Sequence, residues 1–163
     1  MSGSRKLLIV SGLVLAIWGM SYGLYYAVFD EHQTLDRMGT SLAMGFARAA
    51  ERKMSDAHAA LDAYAQANFE YVREVDVHSH WIGLAMILIV LGVVFDRVAF
   101  DECQRFYMAA ALVVGSVIFP LGVLLQTVNR GFVPQMIAVI GSGLVIIALS
   151  TVALGFARGG ERG

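Results

Sequence analysis

Two histidines one residue apart, in the stretch Val77-His78-Ser79-His80-Trp81, stand where a charged segment gives way to a long apolar run. His32 follows the first apolar stretch of the chain, so His32, His78 and His80 gather at the same end of those segments, with His58 far from all three. Imidazole nitrogens ligate haem iron, Cu and Zn. Haem b is held by one imidazole from each of two facing helices, and His32 with His78 or His80 would meet that demand. A Zn or Cu site would recruit His78 and His80 together with Glu74, Asp76 or Glu31. Glu74 and His78, Asp76 and His80, and His32 and Asp36 are each four residues apart, a helical spacing that suits co-ligation or a carboxylate that fixes a ring tautomer. The plain alternative is an interfacial belt of amphipathic side chains shared with Trp81, Tyr25, Tyr26 and Tyr71. Helical residues two apart point about 200° away from each other, so at most one of His78 and His80 is expected to face the interior.

Other chemistries lack their residues. Ser79 has no nucleophile elbow around it, there is no glycine-rich phosphate loop, and neither HExxH nor CxxC occurs. No catalytic residue is assigned, and the chain is not expected to act as an enzyme on its own. Cys103 is the one cysteine, which excludes an intramolecular disulfide. Met86 and Met108 read as packing residues rather than copper ligands. A formal charge of −1 argues against nucleic acid as a partner.

The elements that must position the histidines are membrane helices. Of the 163 residues 58% are apolar and 15% charged, far more hydrophobic than a soluble core of this size requires. Leu7 to Phe29, Phe106 to Val128 and Gly131 to Ala157 carry no charge and are each long enough to span a bilayer, which takes about 20 residues of helix. A further run from Trp81 reaches only Phe95 before Asp96 and Arg97. It reaches full thickness either by taking in Val77 to His80 or by letting Asp96 and Arg97 snorkel so that Val98 to Phe100 contribute. The expectation is one all-α membrane domain over 1–163, a four-helix bundle with spans at about 7–29, 78–100, 106–128 and 132–157. Pro120 is expected to kink the third span, and the Ile140 to Leu144 stretch, IGSGL, to let helices approach closely.

Between the first two spans lies an alanine-rich, proline-free segment. Leu35, Met38, Leu42 and Phe46 recur at helical spacing, as do Met54, Ala57, Leu61, Tyr64, Asn68 and Tyr71. This predicts a helical hairpin over about 34–77 that turns near Lys53, with Thr34 capping its first helix and Ser55 or Asp56 its second. No Gly or Pro intervenes between Gly45 and Gly83, so the second hairpin helix is expected to run unbroken into the second span. The hairpin's apolar stripes call for self-association or a partner.

Arg5 and Lys6 precede the first span, Arg97 and Arg105 flank the second connection, and Arg158 and Arg162 follow the last. The positive-inside rule places both termini in the cytoplasm and residues 30–77 outside, periplasmic in a Gram-negative cell, with the bacterial inner membrane as location. The first apolar run reads as a retained anchor, too long for a secretory signal.

From Val77 to Arg97, VHSHWIGLAMILIVLGVVFDR, the chain resembles a group of small four-span bacterial membrane proteins similar to subunit I of haem-copper oxidases. Met20 to Val28, His78 to Leu84, Pro120 to Gln126 and Ile140 to Phe156 match its pattern, about two thirds of the chain, with the histidine pair as the specific element. The resemblance implies haem or copper ligation by His78 and His80. The segment 30–77 replaces the short connection expected before the histidine pair, and no later helix carries a histidine, so a complete oxygen-reducing site cannot be built within this chain.

The expected function is therefore an inner-membrane protein that binds haem b or a transition metal through His32, His78 or His80 and serves electron transfer within a membrane redox assembly. A cofactor-free accessory subunit, whose hairpin mediates oligomerisation or partner docking, is the first alternative. Copper or zinc handling on the periplasmic side is the second.

Overall fold

The computed structural model describes residues 2–160 and consists of helices throughout. α1 runs Gly3–Phe29, α2 Glu31–Ala50, α3 Met54–Val94, α4 Glu102–Val128 and α5 Phe132–Gly160, with one 3₁₀ turn at Phe95–Arg97 after α3. Four of them, α1, α3, α4 and α5, are long and apolar enough to cross a membrane, and the chain is an all-α membrane protein.

The helix starts are set by local chemistry. The Ser2 hydroxyl accepts the Arg5 amide, and the Asp101 carboxylate accepts the Gln104 amide at 2.8 Å, so α1 and α4 each begin on a side-chain cap. The hairpin does not follow this rule. Thr34 is no cap: α2 already begins at Glu31, and the Thr34 hydroxyl donates back to the Asp30 carbonyl at 3.1 Å. Asp30 alone separates α1 from α2, and because it stays in right-handed helical geometry the first span continues almost directly into the hairpin. Ser55 and Asp56 likewise lie inside the first turn of α3, whose cap residue is Lys53.

The turn between α2 and α3 is made by the backbone. The Lys53 amide donates to the Arg48 carbonyl and the Arg52 amide to the Ala49 carbonyl, both at 2.9 Å, the hydrogen-bond pair of a Schellman ending. That ending needs a left-handed residue, and Arg52 takes it with φ 57° where glycine is the usual occupant.

α3 is unbroken over 41 residues, roughly 60 Å of rise, so one rigid rod belongs to both the hairpin and the membrane bundle. It ends at Val94, and Asp96 and Arg97 lie in the 3₁₀ turn. Val98 and Phe100 do not extend the helix; they fold back over Gly155 of α5, where a Cβ would overlap both side chains.

α1 lies against α3, α3 also against α4, and α4 against α1, with Trp81 of α3 only 1% exposed in their midst. α5 packs chiefly on α4, so the bundle is open on that side. Small residues govern the close contacts, as dispersion and backbone approach must do where lipid removes the hydrophobic driving force. A Cβ on Gly122 would overlap the backbone of Ala138, and one on Gly141 the backbone of Phe119. Gly12 and Gly92 let α1 and α3 meet in the same way. Gly143, the second glycine of the IGSGL stretch, meets nothing within 4 Å.

In the hairpin, α3 buries Ala57, Ala60 and Ala67. The expected contact stripe is thereby shifted, because alanines admit the closest approach of α2; Leu61 rests partly on Gly45 yet stays 46% exposed.

At the termini end, Asp96 accepts from the Ser2 hydroxyl at 2.5 Å and pairs with Arg5 at 3.4 Å, and Arg105 joins Glu102 at 3.1 Å. These charges tie the start of α1 to the α3–α4 connection.

Candidate functional site

α3 is wedged between α1 and α4, and this decides where the histidines point. The His78 ring lies against Gly23 of α1, where a Cβ would come within 3.3 Å of it. The His80 ring stands edge-on to Phe119 of α4, with centroids 4.8 Å apart. Both are half-buried against protein, on opposite sides of α3. The expectation that at most one faces the interior is corrected: two faces about 200° apart can both be covered when a helix has a neighbour on each side.

His78 Nδ1 bonds the Glu74 backbone carbonyl at 3.1 Å, and His80 Nδ1 bonds that of Asp76, so each ring is oriented by the carbonyl four residues back and not by the carboxylate. His32 is exposed, 86% for its side chain, and faces only Asp36 at 3.4 Å. The Asp76 carboxylate pairs with Arg73 at 3.4 Å. His58 is exposed in the hairpin. Among the described residues, no group of three or more His, Cys, Asp or Glu side chains is placed to hold a metal ion. The residues of one chain do not fit a bis-histidine haem either: His78 and His80 face different helices, and His32 points to solvent.

Glu74 has a different company. Tyr22 of α1 donates its hydroxyl to the Glu74 carboxylate, and the Tyr22 ring stands edge-on to buried Trp81 at 5.4 Å. Antiparallel packing of α1 on α3 creates this pair from residues 52 positions apart. Beside it, where the charge-free run of α1 ends, a cavity of about 270 Å³ opens between α1, the base of the hairpin and the last turn of α4. Tyr26, Asp30, Gln33, Thr34, Arg37, Glu70, Glu74 and Thr127 line it, with Arg37 and Glu70 paired at 3.4 Å. Tyr26 is 5% exposed, and its hydroxyl has no hydrogen-bond partner among the described residues.

Sequence reasoning singled out Glu74 as a metal ligand and Tyr26 as part of an interfacial belt, and missed Tyr22, Asp30 and Thr34. The available signal was two tyrosines at helical spacing near the end of an apolar run, followed at once by Asp30. The Phe69 ring lies under the Arg130 guanidinium, 3.9 Å from its centroid, and within 5.1 Å of that of Arg73, which ties the α4–α5 connection to the base of the hairpin.

No family model, curated protein or solved structure matches the chain.

Proposed function

We propose that the chain is an accessory subunit of a bacterial inner-membrane assembly, with cytoplasmic termini and a periplasmic hairpin that docks a partner or a second copy of itself. The single observation carrying this reading is the unbroken α3, which makes the hairpin a rigid extension of the membrane bundle. The hairpin also leaves Phe46 69%, Met54 55% and Leu61 46% exposed, a polar-flanked apolar surface that two helices alone cannot cover. The basic residues at the termini end favour that orientation.

The test is assembly in detergent or in membranes, read by crosslinking and by mass from light scattering. Phe46→Glu with Leu61→Glu is expected to dissociate the complex while leaving the helical content unchanged. An unaltered assembly in that variant refutes the reading.

Binding of haem b, Cu or Zn is a second reading, favoured by one feature of His78. Its Nδ1 is held by a backbone carbonyl, which leaves Nε2 free for a ligand in the manner of metal-bound histidines. The remaining metal ligands or the second imidazole would then come from another chain, and electron transfer would belong to that assembly. An absorption spectrum before and after dithionite, with metal analysis of the same sample, tests it: reduced α and β bands lost in His78→Ala support haem, and protein made with ample haem yet free of both bands and metal refutes it.

A further inference from the structure

The hairpin has two broad faces of different chemistry. On one, Asp36, Arg37, Arg48 and Asp56 line two cavities between α2 and α3. The other carries Leu35 and Phe46 of α2 and Met54, Leu61 and Val72 of α3, all exposed. Their spacings of 7 and 11 residues, two and three helical turns, keep each set on one stripe. Thr127 of α4 lines the junction cavity together with Arg37 and Glu70, so α4 stands under the charged face. Under the apolar face, Met20, Gly23, Ala27, Tyr71, Val75 and His78 line a cavity of about 450 Å³ whose walls come from α1, α2 and α3. The apolar face is thus open from the tip of the hairpin to the membrane boundary.

The register within the hairpin decides what fits that face. α2 and α3 run antiparallel from the turn, and across one cavity Arg48 lies level with Asp56 and Met44 with Ala60. By the same count Phe46 lies level with His58, and Leu35 with Phe69. Two copies in one membrane point their hairpins the same way, because α3 runs unbroken from span to hairpin in each. A two-fold axis along the membrane normal then sets α2 of one copy against α3 of the other at equal height. Phe46 meets the hole that Met54, Ala57, His58 and Leu61 form on the facing α3, the i, i+3, i+4, i+7 set that receives a knob. Leu35 meets the corresponding hole of Ala65, Asn68, Phe69 and Val72. Each knob of α2 finds a gap instead of another knob, and the axis repeats both contacts. No Asp, Glu, Lys or Arg enters either one. On the charged face α4 stands in the way of the same operation.

We propose that the partner on this face is a second copy of the chain, related by a two-fold axis along the membrane normal, with Phe46 and Leu35 as knobs on the facing α3. The proposal rests on the docking reading above and names the occupant of its apolar face.

The full-length chain is crosslinked in its membranes, then extracted and purified alone, and its mass per particle is read by light scattering. Two copies per particle are expected. Phe46→Lys and Leu61→Glu should each give monomers of unchanged helical content, whereas Met44→Glu, on the charged face, should keep the dimer. Coexpressed under different tags, the Phe46→Lys and Leu61→Glu chains should pair with each other, since the lysine then lies one helical turn from the glutamate across the interface. Such a mixed dimer requires that the two copies touch at these positions. A wild-type chain that is monomeric by both readouts overturns the proposal, as does a dimer that survives Phe46→Lys and Leu61→Glu, or a mixture of those chains that stays monomeric. If the monomeric chain is crosslinked in the membrane to a different protein, and Phe46→Glu with Leu61→Glu abolishes that product, the docking reading stands and the second copy falls. Absence of any crosslinked product removes both.

Discussion

The α4–α5 seam and the junction of α1, α2 and α3 lie in the same bundle and are built on opposite principles. Along the seam, glycines bring two backbones so close that Gly122 has no room for a Cβ against Ala138 and Gly141 none against Phe119. At the junction, polar side chains hold the helices around a cavity of about 270 Å³, and several acceptors lack a donor. A seam with no space and no free polar group can only stabilise. A junction of polar side chains around a cavity rests instead on hydrogen bonds such as that from Tyr22 to Glu74.

The sharpest way to break this comparison is to add volume at the seam. Gly122→Leu is expected to cost on the order of 3 kcal/mol, because backbone on the facing helix cannot move aside as a side chain can. Gly143→Leu, with open space around its Cα, should change stability little. Unfolding of both variants in mixed micelles with increasing dodecyl sulfate measures the difference, and similar losses would show that the seam does not rest on close approach.

The next largest effect belongs to the junction. Tyr22→Phe removes the donor to Glu74 and leaves a carboxylate against an aromatic wall, a loss of about 2 kcal/mol for a hydrogen bond to a charged group. Combining it with Glu74→Gln should recover part of that loss, since the unpaired charge is then gone. Additive losses in the same unfolding assay would separate the two side chains energetically.

Farther from the membrane the effects shrink. Arg52→Gly should stabilise the hairpin turn by about 1 kcal/mol, as glycine occupies φ 57° without the steric cost that Cβ imposes. Slower hydrogen exchange of the amides around 48–57 is the expected readout.

The smallest effect is one of pH. Lys53 and Arg48 hydrogen-bond the charged form of Glu51, at 2.9 and 3.1 Å, and hold its carboxyl below the usual carboxylate range. Its contribution is complete above the unfolded value of about 4.3 and disappears as pH falls through the lower folded value. Exchange at the turn should accelerate slightly on acidification, and Glu51→Gln should flatten that dependence.

Helix positions were readable in the sequence because charge-free runs and 3.6-residue periods are local properties. The unbroken α3 was legible from the absence of Gly and Pro between Gly45 and Gly83. The role of Gly141 was legible too, as a small residue in an apolar helix, although nothing local distinguishes it from Gly143. The caps were not: Thr34 has the right chemistry for a cap, but one helical residue, Asp30, suffices to join α1 to α2 and leaves Thr34 inside the helix. The histidines were found by type and spacing, while their surroundings depend on which helix lies on each side of α3.

Composition and periodicity alone determined that this is an all-α membrane protein with an amphipathic hairpin, because lipid permits only segments that satisfy their own backbone hydrogen bonds. Only tertiary structure decided that Tyr22 meets Glu74, that Tyr26 lacks a partner, and that His78 and His80 face different neighbours. Those outcomes depend on the register of α1 and α4 against α3, and register is set by where small residues let backbones approach, a property of helix pairs that no single segment contains.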